Sequence, residues 1–282
     1  MAFRWGEPMT YRTILLQMFE DPNLEHRLTA AVALAGRFDA HLVGLNVSPP
    51  PVMPFGYGEA AAYVGPEVFE AQREAAHAIA ERLHAAFDGA LDSTGLSSIW
   101  RDEEGDPPTL FARAAATVDL VVTGRVPGDA LDAIVPDVTG HLVTEAGGPV
   151  LMLPAGAVDG GFGKRVMVGW NGKKEAKRAL SDALPFLRGA DTVWLVTIGD
   201  PEEVRLDRAV RLLGRHDVTA EELVLEASGQ EPGAQLLEQA QANDADLLVM
   251  GAYSHSRLRE MILGGATRHV LHNATLPVLF SS

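Results

Sequence analysis

Short apolar runs alternate with amphipathic stretches along nearly the whole chain. Residues 164–170, KRVMVGW, have the character of a strand. In residues 174–187, Ala176, Ala179, Leu180, Ala183 and Leu184 fall on one stripe, which predicts a helix. The pattern then predicts a strand over 192–198, a helix over 202–214, a strand over 221–226 and a helix over 233–242. A strand over 246–250, a helix over 264–272 and a last strand over 277–280 complete this half. Strands that are apolar on both faces and alternate with one-sided helices indicate parallel sheets covered on two sides.

The pattern occurs twice. Residues 118–153 read VDLVVTGRVPGDALDAIVPDVTGHLVTEAGGPVLML, and residues 245–280 read ADLLVMGAYSHSRLREMILGGATRHVLHNATLPVLF. Asp119 matches Asp246 and Gly124 matches Gly251; after a one-residue gap Thr139, His141 and Pro149 fall on Thr267, His269 and Pro277. The same order of parts runs from residue 13 to residue 153, so the expected fold is two doubly wound, Rossmann-like α/β domains in tandem. Their expected bounds are 9–154 and 164–282, with residues 1–8 as an upstream extension. The segment between them, PAGAVDGGFG, reads as a Gly-rich linker; it lacks the glycine and Ser/Thr positions of a phosphate-binding P-loop. Residues 48–58, SPPPVMPFGYG, read as a long loop ahead of a helix over 66–87.

Composition narrows the function. The net charge of −15 argues against a broad nucleic-acid surface or an anionic membrane partner. With no cysteine there is neither a disulfide framework nor a thiolate metal site. No apolar run approaches the ~18 residues of a membrane span, and a cytoplasmic location is expected. Gly-x-Ser-x-Gly, His-Glu-x-x-His and Gly-x-Gly-x-x-Gly motifs are all missing. His269 and His272 lie one helical turn apart, without the carboxylates or further donors that would complete a metal site. The acidic run Asp102-Glu103-Glu104 reads as a solvated loop.

Candidate chemistry concentrates in residues 251–271, GAYSHSRLREMILGGATRHVL. Glycine at the end of a parallel strand, and again at a helix start, would present free backbone N–H groups and the positive end of a helix dipole at the carboxyl edge of the sheet. Ligands of open α/β sheets bind at that edge. Ser254, His255, Ser256, Arg257 and Thr267 stand beside Gly251, Gly264 and Gly265, and can supply donors and charge to a phosphate.

The tandem order and this stretch resemble the universal stress protein family in its two-domain form. Nucleotide-binding members carry Gly-x2-Gly-x9-Gly-Ser/Thr in this position; here the pattern reads Gly251-x2-Ser254-x9-Gly264-Gly265. The spacing holds, while Ser254 replaces the second glycine and Gly265 the hydroxyl residue. Where the family has an aspartate after the first strand, this chain has Asn171-Gly172, which keeps an amide and loses the carboxylate. The resemblance implies a non-enzymatic regulatory protein whose second domain binds ATP, with Mg²⁺, or AMP. It also implies that the last strands of the two domains pair across a pseudo-two-fold axis; further homodimerisation and the protein partner stay open. A nucleotide-independent interaction module is the competing reading, and a slow ATP hydrolase a third. In the first domain Pro136-Asp137 replaces the glycine pair: proline offers no N–H, and Asp137 is expected to cap its own helix, so this domain is expected to bind no nucleotide.

Overall fold

The computed structural model describes residues 10–51, 66–125, 137–156, 158, 160–252 and 265–282. The first half runs β1 (Thr13–Met18), α1 (Leu24–Phe38), β2 (His41–Ser48), α2 (Pro66–Leu91), β3 (Ser98–Glu104), α3 (Pro107–Ala115), β4 (Leu120–Gly124), α4 (Val138–Glu145) and β5 (Val150–Leu153). The second runs β6 (Arg165–Gly169), α5 (Lys174–Asp182), α6 (Leu184–Leu187), β7 (Thr192–Ile198), α7 (Leu206–Gly214), β8 (Glu221–Leu225), α8 (Pro232–Ala242), β9 (Leu247–Gly251), α9 (Gly265–Asn273) and β10 (Val278–Ser281).

All ten described strands join one sheet in the order β3-β2-β1-β4-β5-β10-β9-β6-β7-β8. Every neighbouring pair within a half is parallel, and β5 meets β10 antiparallel. The expected fold class, two doubly wound units docked through their last strands, is therefore what forms. The docking register is symmetric: Val278 faces Met152, Leu279 faces Leu151 and Phe280 faces Val150.

Period-2 alternation feeds both faces of the sheet. Ile14, Leu16 and Met18 enter one apolar cluster and Leu15 the other; each cluster takes residues from both halves, so the core is continuous across the docking seam. The repeated aspartates have a shared structural task. Asp119 Oδ2 accepts from the Arg12 and Thr13 amides, each at 2.8 Å, and Asp246 accepts from the amides of Gly163, Lys164 and Arg165 at 2.9–3.0 Å. Each carboxylate clamps the backbone entering the first strand of its half.

Four local expectations shift. The helix predicted over 174–187 breaks at Ala183, because Pro185 in the first turn of α6 cannot continue the α5 hydrogen-bond ladder. Helix α7 starts at Leu206 rather than 202, after Arg205 at φ 54°. Helix α2 runs on to Leu91. The acidic run Asp102-Glu103-Glu104 is not a loop: it ends edge strand β3, where Asn46 donates to Asp102 at 2.8 Å and Arg113 to Glu103 at 2.7 Å. Charges of this kind protect a sheet edge. The Gly-rich linker has no helix or strand among its described residues, yet it is anchored: Phe162 is buried and stacks on Phe186 with ring centroids 6.0 Å apart. Of the loop read over 48–58, residues 52–58 lie outside the described residues.

Candidate functional site

At the carboxyl ends of β6, β7 and β9 the second half opens into a cleft of about 410 Å³. One wall is the segment after β6, Trp170, Asn171 and Lys173; the floor holds Gly169, Thr197 and Met250. Glu231, Pro232 and Leu236 of α8 form a second wall, and Gly265, Ala266 and Thr267 bring the first turn of α9 to the rim. The segment expected to make a ligand cradle thus contributes Gly251, Gly265 and Thr267 to the cleft. Ser254, His255, Ser256, Arg257 and Gly264 lie outside the described residues.

The glycines divide by physical cause. A Cβ on Gly251 would fall 2.5 Å from the backbone of Glu175 and Ala176, so glycine is needed here for β9 to pack on the start of α5. Gly172 sits at φ +73°, with Val204 Cα 3.2 Å from where a Cβ would stand; the turn itself requires glycine. Both positions therefore have a backbone reason independent of ligand. Asn171 Oδ1 accepts from the Lys173 amide at 3.1 Å, which closes that turn and leaves the amide hydrogens of Nδ2 for other partners. Trp170 donates Nε1–H to the Val204 carbonyl at 2.8 Å and holds the 199–205 loop against the same wall.

Two cleft residues had no motif to announce them. Thr197, a polar position in the apolar run TVWLVTI, is 2% exposed, and its hydroxyl has no hydrogen-bond partner among the described residues. A buried hydroxyl left unpaired is costly and is ordinarily satisfied by water or ligand. Glu231 is the second. It occupies the N-cap position of α8 without capping it, and its carboxylate lies against Gly265 at the start of α9.

The first half handles the equivalent space differently. Ile14 pairs with Leu120 and Val166 with Leu247, so Gln17 corresponds to Gly169 and Thr123 to Met250. Gln17 fills its place: Thr123 donates to Gln17 Oε1, and Thr123 and Thr139 hydroxyls lie 3.0 Å apart, with Thr139 donating to the Gly124 carbonyl. Asp137 caps α4 as expected, its Oδ1 accepting from the Gly140 amide at 2.8 Å. Beside this network Arg27, 1% exposed, pairs with Asp21 at 2.9 Å and lies 3.8 Å from the Phe19 ring centroid, leaving a void of only about 10 Å³.

Two consecutive copies of one α/β unit, docked through their last strands, agree with the outcome of comparison with known proteins. The profile of the Universal stress protein family matches residues 10–154 and again 163–281. The chain belongs to the universal stress protein family. It is 28% identical over 125 residues to a universal stress protein of Synechocystis sp., a match covering 41% of each chain. Its fold is similar to that of a universal stress protein from Archaeoglobus fulgidus, with TM-score 0.73 and 16% identity over 96% of this chain and 98% of that one. A functionally unknown protein of Pseudomonas aeruginosa PAO1 is similar as well, with TM-score 0.62 and 19% identity over 96% and 92%. Membership supports a stress-response regulatory role. None of the described helices is long and apolar enough to cross a membrane.

Proposed function

We propose that this universal stress protein is a non-enzymatic regulator that binds an adenine nucleotide, ATP or AMP, in the cleft of its second half. The observation that carries the reading is the contrast between Gly169 and Gln17. The same place in the repeat is filled by a hydrogen-bonded side chain in the first half and open in the second. At about 410 Å³ the cleft has the size of a small-molecule site. Trp170, Val196, Ile198 and Leu236 give it apolar surface for a base, while Asn171 and Thr197 offer polar contacts and the first turn of α9 an anion-favouring field. Bound nucleotide would act by favouring one conformation of the surrounding loops, which a partner then reads. Among the described lining residues Glu231 is the one carboxylate, which gives no pair of acidic groups to position Mg²⁺ and water for hydrolysis.

The test is calorimetric titration of the nucleotide-free protein with Mg-ATP and with AMP, repeated on Gly169→Gln. That substitution imports the first-half plug where a new Cβ meets the flexible Leu236 side chain at 3.3 Å and the Val249 carbonyl at an ordinary 3.7 Å. Saturable heat in the parent that disappears in the folded variant is expected. No heat in the parent at millimolar ligand overturns the reading and leaves the nucleotide-independent interaction module.

A further inference from the structure

Among the described residues helix α9 spans Gly265–Asn273, and its N-terminal end carries the positive pole of the helix dipole. In the proposed nucleotide site this end of the helix would face phosphate. The chain sets a carboxylate there. A Cβ built on Gly265 would collide with both oxygens of Glu231, with Oε2 at 2.6 Å and Cδ at 2.8 Å. Glu231 reaches this position from α8, where it stands at the N-cap yet makes no side-chain cap hydrogen bond. The two helices are fixed against each other: Gly233 of α8 packs so closely that its own Cβ would lie 2.5 Å from the Ala266 carbonyl. The backbone of Glu231 is thereby held beside the start of α9. That the same cleft is built for a ligand is indicated separately by Thr197, a buried lining residue whose hydroxyl has no hydrogen-bond partner among the described residues.

We infer that Glu231 determines which ligands the cleft accepts, by holding negative charge where a phosphate would otherwise sit. The inference rests on the nucleotide reading for the identity of the base, but the charge argument stands on the geometry of α8 and α9. Two like charges this close repel, which offsets the gain that a helix N-terminus offers an anion. The cleft consequently binds the phosphorylated forms of the nucleoside less tightly than it would with a neutral side chain at position 231, and leaves the nucleoside itself unaffected. Phosphate enters only when Glu231 swings out. Glu231 is exposed, so removing its charge does not endanger the fold.

Two titrations test this. In the first, inorganic phosphate is added to the nitrogen-15-labelled full chain and to Glu231→Gln, and the amide signals of Gly265, Ala266 and Thr267 are followed. The variant is expected to saturate at a phosphate concentration at least about tenfold lower than the parent; coincident curves overturn the inference. In the second, adenosine and AMP are titrated calorimetrically into both proteins. Adenosine affinity is expected to agree within about twofold, while the AMP-to-adenosine affinity ratio rises about tenfold in the variant. Adenosine and AMP binding with the same ratio in both proteins would sink the role of Glu231 and keep the nucleotide site. Absence of adenine binding in both, with the phosphate curves still separated, would do the reverse.

Discussion

Leu151 and Leu279 face each other across the antiparallel β5–β10 pair, and they are also equivalent residues of the two repeats. A residue paired with its own counterpart marks a two-fold axis, which here runs through the middle of the ten-stranded sheet. Both side chains are fully buried, one on each side of that axis. The seam is thus core, continuous with both apolar clusters.

Truncation at the seam should accordingly behave as core truncation. Leu279→Ala is expected to destabilise the whole chain by about 2–4 kcal/mol, the range for a buried leucine, and to lower both halves in one cooperative transition. Urea unfolding followed by Trp fluorescence checks this, since Trp100 lies in the first half and Trp170 and Trp194 in the second. Two separated transitions in the parent would contradict the continuous core.

The buried ion pair of the first half gives a second expectation. Arg27 is buried with its guanidinium against Asp21 and the Phe19 carbonyl, at 2.9 and 2.7 Å, and burial pulls its pKa down. Removing Asp21 leaves a buried cation without its counter-charge. Asp21→Ala should cost about 3 kcal/mol, more than the double replacement of Arg27 and Asp21 by apolar residues of similar volume, as measured by chemical denaturation.

Much of this fold was legible because hydrophobic period and internal repetition are recorded directly in the chain. The order of elements and the Asp137 cap follow from local chemistry, and the docking strands from the family resemblance. Break points were harder: Pro185 divides one predicted helix into two, and β3 carries so many charges that its strand character lies only in its pairing with β2. The site was read from a motif, and the motif conflated two physical roles. Gly251 and Gly172 are glycines for packing and for a left-handed turn, reasons that spacing does not distinguish from ligand approach. Thr197 and Glu231 escaped because nothing in their local sequence says that β7 and α8 line one cleft with the start of α9.

Gly251 supplies a third prediction. Gly251→Ala forces a Cβ to within 2.5 Å of the α5 backbone, and neither strand nor helix can yield without losing core contacts. A stability loss of about 1–3 kcal/mol is expected even in the absence of any ligand. Thermal unfolding of the ligand-free protein decides: an unchanged Tm would mean that α5 moves freely and that the packing account of this glycine is wrong.

Asp182 predicts a pH dependence. Burial at the end of α5 pushes its carboxyl pKa up, against the opposing pull of Ser281, Arg178 and Lys177. The folded protein then holds this proton to higher pH than the unfolded chain does. Stability tied to the group is present in full below the unfolded value of about 4 and declines as pH rises through the raised folded value. Asp182→Asn should remove that decline, so the variant-minus-parent difference in unfolding free energy grows more positive from pH 3.5 to pH 7. A constant difference would show that the carboxyl titrates alike in both states.

The antiparallel seam has one further consequence. Strands of the first half all run against those of the second, so their carboxyl edges lie at opposite ends of the sheet. The plugged mouth near Gln17 and the open one near Gly169 therefore look away from each other. On the proposed reading, a partner that recognised the loaded cleft would approach the sheet from one end only. Duplication here has left the two ends of one sheet unlike, one mouth open and its counterpart filled by Gln17.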